Sequence, residues 1–551
     1  MRKPHTAHLV AASVTVAFTV TGLWVLWHGY PPDDAYILYT YAEHLAGGDG
    51  IVYNTGGPRT EGATDFLWMV ALAGISATGL DIALAALALN GVGVYLLTWL
   101  LVDRFAADKG GFRANLHLIL LAAVILGSRL TQASLAGFST FLYAAFCVLL
   151  LCLYQSDQRR QLLWVPVVAI LIGLIRPDGV FIGVVATILG LWRAWNRPFR
   201  SRYLAVAGTA GMVGVVYFLW RYSYFGLPLP LPLYVKASSS ALLEGLPINI
   251  LWLVDSVFFL IVAPFGAEHL RLKKRDYLIL WLPFLALLVV LSFAHQSQNI
   301  AFRFQAPALA ALIFVFAAFL RDSFAAGESR GKAIFATVLA VAATGVHGID
   351  LLGARYMTGG MRFLVTPGYA DVFAGRLQPL VGPSTRIAVS EAGRIAFWTN
   401  AQVYDLVGLN TAEVALNGLD PSYLTQISPD IILVHTVGTL RPPREVALRA
   451  DVVDIDIANV RSWLSPGAEG ADLATMTPEQ RAPLAVYHYL FENPQRYRLI
   501  LVRHNGLLQH LFAVDGTIVD TQAFARLLRQ SADPENFIGY LGARMAAEAP
   551  P

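Results

Sequence analysis

Pro31-Pro32-Asp33-Asp34-Ala35-Tyr36 stands where a strongly apolar run, roughly His8 to His28, gives out, and the stretch it opens continues to Trp68. Two adjacent carboxylates at the mouth of a membrane helix are costly, because a charge gains nothing from hydrocarbon and must face water, a partner or a ligand. For either acid alone, the plain alternative is that it caps a short interfacial helix running through Tyr41 and Leu45. The pair sets two expectations: a spanning helix before it and a functional site beside it.

Composition agrees with the first. Of 551 residues, 56% are hydrophobic and 14% charged, against about 25% charged in ordinary soluble proteins. Mean hydropathy is +0.56. The sequence therefore describes an integral membrane protein. The formal net charge of +3 is too small to argue for nucleic acid, and no basic tract or zinc-knuckle spacing appears. Cys147 and Cys152 lie in one apolar segment, with neither a disulfide framework nor metal-ligand spacing. Arg2 and Lys3 give the first segment a positive start, but its apolar run is too long for a signal-peptide core. Trp24, Trp27 and Tyr30 form an interfacial belt. It reads as a retained helix with its N-terminus in the cytoplasm, which puts Asp33 and Asp34 on the outer, periplasmic-type face.

Further apolar runs follow near residues 65–79, 82–102, 115–127, 138–154, 162–175, 179–192, 203–223, 248–266, 277–293, 305–321 and 333–352. Several are shorter than the roughly 20 residues a simple span needs, so some must be broken, tilted or re-entrant. Basic connectors at Arg159-Arg160, Arg193 to Arg202, Arg271 to Arg275 and Arg321 to Lys332 belong in the cytoplasm by the positive-inside rule. Twelve segments starting inside would end inside, yet the chain after about 353 is placed outside, so an odd total of about 11 or 13 spans is expected. The division expected is a transmembrane domain over 1–352, with its first external loop at 30–64, and an extracytoplasmic α/β domain over 353–551.

The non-basic connectors fall on the same face as the Asp pair. They hold Arg176-Pro177-Asp178-Gly179, Tyr224-Phe225-Gly226 through Tyr234 and Lys236, and His295-Gln296-Ser297-Gln298-Asn299 to Arg303. Ser128 to Thr140 is a fourth candidate. Any single Arg or Lys there can be a snorkelling anchor. Several cations gathered on one face with two carboxylates read better as an anion cavity, with Arg176, Lys236 and Arg303 holding a phosphate.

Beyond about 353 the apolar runs shrink to strand length: 386–390, 403–407, 430–435 and 499–502, with helix-like stretches and Pro- or Gly-rich turns between them. This alternation predicts a small α/β domain. Its polar residues, His435 among them, show no triad or metal spacing.

Three blocks of the first loop carry a resemblance: Asp33-Asp34-Ala35-Tyr36-Ile37, Tyr41-Ala42-Glu43-His44 through Asn54, and Glu61-Gly62-Ala63-Thr64-Asp65-Phe66-Leu67-Trp68. Together they resemble the signature of the GT-C superfamily of membrane glycosyltransferases. More narrowly they resemble the bacterial branch that includes the mycobacterial terminal arabinofuranosyltransferase. Arg176-Pro177-Asp178-Gly179, Tyr224-Phe225-Gly226 with Tyr234 and Lys236, and Ser390-Glu391-Ala392-Gly393 through Asp405-Leu406-Val407-Gly408-Leu409-Asn410 agree with it. One departure is Ala136-Gly137-Phe138-Ser139-Thr140, where relatives often carry an acid after a Ser-Gly pair and this chain has Ser139.

The resemblance implies a multi-span enzyme of the bacterial cytoplasmic membrane with its active site on the extracytoplasmic side. It would take a sugar, arabinofuranose by the branch, from a polyprenyl-phosphate carrier to a cell-envelope glycan, lipid or protein. In that scheme Asp34 matches the acid of the first external loop and Asp33 its neighbour. Asp34 would be general base. Asp33 would position the acceptor, tune Asp34 or help bind a divalent cation. Glu61, Tyr36 and His295 are candidates for holding sugar or acceptor. A transporter or flippase of lipid-linked sugars would share groove and cations, but such proteins place polar groups near the midplane and often show internal repeats; no repeat is visible.

Overall fold

The computed structural model of the chain describes residues 4–106, 112–155, 159–237, 243–296, 298–325, 327–348, 364, 368–436, 438–443, 452–468, 470–504 and 507–548. The expected domain boundary at 352/353, and Ser297 in one of the connectors, lie outside these. The chain forms two compact units, each assembled from three stretches: Met1–Val25, Asp65–Ser223 and Ala241–Leu364 in one, and Leu26–Thr64, Tyr224–Ser240 and Val365–Pro551 in the other. The stretch 30–64, expected as the first external loop, thus belongs to the same unit as the C-terminal stretch.

The first unit is helical. Among the described residues, five helices, lying wholly or mostly in this unit, are long and apolar enough to cross a membrane: His5–His28, Ile82–Phe105, Arg200–Phe225, Lys274–Ser292 and Ala306–Ser323. Two bent pairs raise the number to seven if each is one span: Asn115–Gly127 with Arg129–Leu135, bent by 47°, and Leu246–Asp255 with Val257–His269, bent by 73°. The run expected at 248–266 is thus one of the broken segments. Phe66–Ser76, Thr140–Gln155, Arg160–Ile175 and Gly179–Ala194 are shorter apolar helices.

A break in a helix frees backbone N–H and C=O groups, which in an apolar setting must find partners inside the protein. Here the two breaks are fastened to each other. Arg129, first residue after one bend, grips Asp255, last residue before the other, through Nε–H···Oδ2 at 3.1 Å and an Nη2–H···Oδ1 bond of 2.6 Å. His347 adds Nε2 at 3.2 Å from Asp255 Oδ2. All three side chains are almost fully buried. Asn90 does the same for the turn before helix Thr140–Gln155, donating to the Ser134 and Phe138 carbonyls and accepting the Phe141 N–H.

The second unit is built on a six-stranded sheet of β1 (Arg386–Val389), β2 (Gln402–Asp405), β3 (Ile431–His435), β4 (Val452–Ile455), β5 (Tyr497–His504) and β6 (Leu507–Asp515), in the order β2-β1-β3-β6-β5-β4. β1 pairs in parallel with β2 and β3; the remaining pairs are antiparallel. The four strands expected from apolar runs are β1, β2, β3 and β5, and two more complete the sheet. Helix Pro478–Glu492 covers one face, burying Leu484, Val486, Tyr487 and Leu490 against Val434, Leu499, Leu501 and Leu511.

Hydrogen bonds fasten the first loop to itself and to the rest of this unit. Asn54 lies beside the edge strand β2, its Nδ2–H donating to the Val403 carbonyl and its Oδ1 accepting the Val403 N–H, both at 2.9 Å. One amide thereby occupies backbone groups that an edge strand otherwise leaves open. Tyr41 accepts the Gly62 N–H at 3.1 Å, and Glu61 accepts the Leu231 N–H through its backbone carbonyl. Helix Asp33–Gly47 ends at Gly48, whose φ of +91° lets its N–H turn back to the last carbonyls.

Candidate functional site

Each unit holds its own cluster of buried charge. In the helical unit, Arg176 caps the end of helix Val165–Ile175, and Asp178 stands just before helix Gly179–Ala194. The Arg176 Nε–H donates to Asp178 Oδ1 at 3.1 Å, and its Nη1 lies 3.5 Å from Asp65 Oδ2. Asp65 precedes helix Phe66–Ser76 and is buried. Ser139, the residue that departs from the family pattern, donates its hydroxyl to Asp65 Oδ2 at 2.8 Å. A carboxylate is thus present beside position 139, supplied from another segment. Asp65 is a member that reading the sequence did not single out.

Arg303 is presented by the connector 295–304, and the fold of that connector is unusual. Ala301 and Phe302 both have φ of +53°, the left-handed region that non-glycine residues rarely enter. A buried amide network holds them there. Asn299 donates to Gln296 and Gln305, Gln305 donates to Asn249, and the Phe304 N–H returns to Asn299 Oδ1. The Arg303 guanidinium lies 3.8 Å from the centre of the Phe138 ring and 5.2 Å from that of Phe304. The Arg176 guanidinium is 5.4 Å from the same Phe304 ring and 5.5 Å from Tyr143. Arg176 and Arg303, two of the three expected phosphate ligands, therefore share one aromatic neighbour, each over nine-tenths buried. His295, a candidate for holding sugar or acceptor, has its Nδ1 2.5 Å from Glu244 Oε1.

In the sheet unit the two adjacent acids separate in role. Asp33 is held at both oxygens: Oδ2 accepts the Gly393 N–H at 2.9 Å and Oδ1 accepts the Arg394 N–H at 2.8 Å. Its carboxyl is pushed up to about 6, burial being the largest cause and the Glu391 charge a further one, against the pull of Arg394 and the two N–H groups. This is a docking role, one that reading the sequence did not offer beside acceptor positioning, tuning of Asp34 and cation binding. Asp34 is half-buried in the same first helical turn. Tyr36 has no exposed surface and lies among Phe397, Trp398, Tyr39 and Tyr540, with ring centres 4.9 to 6.5 Å away. It is a core aromatic of this unit, shielded from any sugar. Glu61 is also buried, and Lys236 is half-buried on the short helix Leu231–Ala237.

Around the Asp33 dock is a group that the sequence did not reveal. Arg394 reaches Glu391 at 2.7 Å and Asp371 at 3.2 Å. Glu391 Oε1 is 2.6 Å from His435 Nε2, and Glu391 Oε2 is 3.5 Å from His510 Nε2. Ligand-type atoms of Glu391, His435 and His510 all lie within 4.8 Å of one another, forming a possible metal-binding triad. Strand pairing explains the meeting. His435 and His510 are register partners across β3 and β6, and Glu391 follows β1, the other neighbour of β3. Three residues far apart in sequence thus arrive at one end of three adjacent strands. Burial works against the Glu391 charge, but Arg394 and the two histidines outweigh it and hold its carboxyl well below the usual range. Burial also lowers His510, more than Glu391 raises it.

Nearby, Asp405 ends β2 buried and accepts N–H groups from Val407, Gly408 and Asn410. The Asp405 to Asn410 motif is therefore a backbone-folding turn.

Comparison with known families finds one match, to a domain of unknown function, DUF8728, over residues 371–497. It includes Asp371, Glu391, Arg394 and His435 but neither His510 nor the first loop. No curated protein matches the chain.

Proposed function

We propose that the chain is a membrane glycosyltransferase of GT-C type, moving a sugar from a polyprenyl-phosphate carrier to an acceptor outside the cytoplasmic membrane. The observation that carries this reading is the pair Arg176 and Arg303, buried in an apolar helical unit on one shared phenylalanine, with Arg303 on a loop in a strained backbone conformation. Charge in such surroundings is expensive and marks functional sites by default. Strain of this kind persists only where its surroundings enforce it. Guanidinium groups suit a phosphate because they are planar, always charged and weakly hydrated.

The roles are assigned unit by unit. In the helical unit, Arg303 and Arg176 take the lipid phosphate, Arg176 exchanging part of its bonding to Asp178 and Asp65 for it. In the sheet unit, Asp34 takes the proton of the acceptor hydroxyl, as the family resemblance implies, while Asp33 fixes the helix that carries it. The acceptor oxygen bonds to the anomeric carbon, and the bond from that carbon to the phosphate oxygen breaks. Polyprenyl phosphate then leaves with its electron pair. Neutralising the charge on that leaving group is the term in which the cations act. Arabinofuranose as the sugar, the 11–13 spans and the extracytoplasmic side of the sheet unit all follow from the same reading. A divalent cation, if the reaction uses one, has carboxylate oxygens of Asp33 and Asp34 in the first loop.

Reconstituted protein supplied with a polyprenyl-phosphate pentose and an envelope glycan is expected to release polyprenyl phosphate. Asp34→Asn should lower turnover by about 10²–10⁴-fold with folding intact, and normal turnover in that variant overturns the base assignment. Arg303→Met and Arg176→Met should raise the KM for donor; an unchanged KM and kcat in both removes them from the site.

A further inference from the structure

We infer that Glu391, His435 and His510 form a binding site for a divalent cation of the zinc class, with one coordination position open to solvent. The inference does not rest on the transferase reading.

A neutral imidazole pair with one carboxylate is a recurrent set for zinc and its neighbours in the transition series, and poorly matched to calcium or magnesium, which prefer all-oxygen shells. The ligand atoms are already gathered. Bonds of zinc length in a tetrahedral shell put ligand atoms about 3.3 Å apart. Here Glu391 Oε1 stands 2.6 Å from His435 Nε2, Glu391 Oε2 stands 3.5 Å from His510 Nε2, and one ligand atom from each residue lies within 4.8 Å of the others, so metal entry needs side-chain adjustment without backbone rearrangement.

A second observation points the same way. His510 is 2% exposed, and its Nε2, directed at the carboxylate, makes no hydrogen bond among the described residues. A buried ring nitrogen left so is costly, and a cation would use its lone pair. The other nitrogen, Nδ1, bonds the Tyr369 hydroxyl. This is the outer contact that fixes the tautomer of a metal-bound histidine. The His435 side chain is 40% exposed, which gives the cation an entry path and leaves room for water or a substrate oxygen.

The surrounding charge also favours a dication. Arg394 is one positive group near the site, but Asp33, Asp371 and Glu391 converge on it, so the four together carry net negative charge when ionised. The cation would also fasten the turn that holds the first loop, because Glu391 leads directly into the Gly393 and Arg394 N–H groups bonded to Asp33.

The test uses full-length protein in detergent, without a polyhistidine tag, stripped by a chelator and titrated with zinc against a chromophoric competitor. One zinc per chain is expected, with cobalt giving the visible absorption of a low-coordinate site. His435→Ala, at the exposed ligand, should weaken zinc by more than about 100-fold, since losing even an outer partner of a metal-bound histidine costs about 10–100-fold. Tyr369→Phe should fall in that lower range, while His488→Ala, outside the group, should bind like wild type. Chelation should lower the unfolding temperature of wild type, zinc should restore it, and His435→Ala should respond to neither. Equal zinc binding by wild type and His435→Ala, or wild type holding less than about half an equivalent at saturating zinc, overturns the proposal.

Discussion

Gly393 shows how much one missing methyl decides. A Cβ there would overlap the backbone carbonyl of Asp33 and crowd its carboxyl carbon, so glycine is required by the closeness of the two chains rather than by its own torsion angles, which are ordinary. Gly393→Ala must push the first-loop helix off its dock and stretch the two N–H bonds to Asp33. Overpacking of this kind costs about 1–3 kcal/mol. The expected result is a lower unfolding temperature in detergent, with Gly382→Ala as the neutral control because nothing lies within 4 Å of a Cβ at that position. If both variants melt with wild type, the close approach is not a constraint. By local pattern Asp33 and Asp34 are equivalent, adjacent acids at a helix start, and the family resemblance alone gave them different expected roles. What separates them is a turn some 360 residues later in the chain, and no local pattern carries that information. The surroundings of Tyr36 were illegible for the same reason: an interfacial aromatic and a core aromatic have one signature until Phe397 and Trp398 are placed beside it.

Elements were legible where their periodicity or length is self-contained. The apolar runs announced the helices of the first unit because the signal lies within each run, and their shortness announced the breaks. The fastening of one break to the other was not legible, since Arg129 sits in the Ser128 to Thr140 connector and Asp255 inside the distant apolar run 248–266. That pair yields a prediction of its own. Asp255→Ala leaves the Arg129 guanidinium buried without its carboxylate and removes a partner of His347, which should cost roughly 3–5 kcal/mol in denaturant or SDS titration. Removing both charges, as Arg129→Met with Asp255→Leu, should recover most of that loss, because the penalty comes from the orphaned charge. A double variant as unstable as the single one would refute this account.

In the sheet unit, β4 escaped notice because Asp454 interrupts its short apolar run. β6 escaped because Gln509 and His510 interrupt its apolar run, although the Asn505-Gly506 dipeptide ahead of it is a hairpin signal. The end of that hairpin gives a pH prediction. Burial works against the Asp515 charge, but bonds from Thr517 and from Arg496 at 3.0 Å outweigh it and hold the carboxyl below its usual value. The unfolded chain then binds this proton more readily than the folded one. Its stabilising effect is complete above the ordinary Asp value near 3.9 and disappears as pH falls through the lower folded value. Asp515→Asn should therefore cost about 1–2 kcal/mol at pH 7 and flatten the acid limb of the stability curve. An unchanged limb would reassign it to other carboxylates, Glu391 first.

At the scale of the whole molecule, a unit that looks like a C-terminal domain is not a contiguous one. The sequence placed a boundary near 353 by the fading of long apolar runs, which reports where spanning helices end and says nothing about which external segments pack together. The family match over 371–497 is still less a folding unit. It stops at the first residue of β5 and omits β6, which lies between β3 and β5 and joins the two halves of the sheet. Without β6, β3 loses its antiparallel partner and His510 is absent from the triad; with β5 cut off after Tyr497, β4 keeps no partner either. Residues 371–497 expressed alone should give no cooperative unfolding transition and little amide protection. Residues 365–551 restore the sheet but lack Asn54 at the β2 edge and Asp33 at the Gly393 turn. They should fold with reduced stability and a tendency to pair through that open edge. Joining residues 26–64 to them through a flexible linker should raise the unfolding temperature and suppress association, and Asn54→Ala in the joined protein should reverse part of the gain. A cooperative transition from 371–497 alone, or no benefit from the first loop, would mean that the sheet is sustained by fewer strands than its pairing requires.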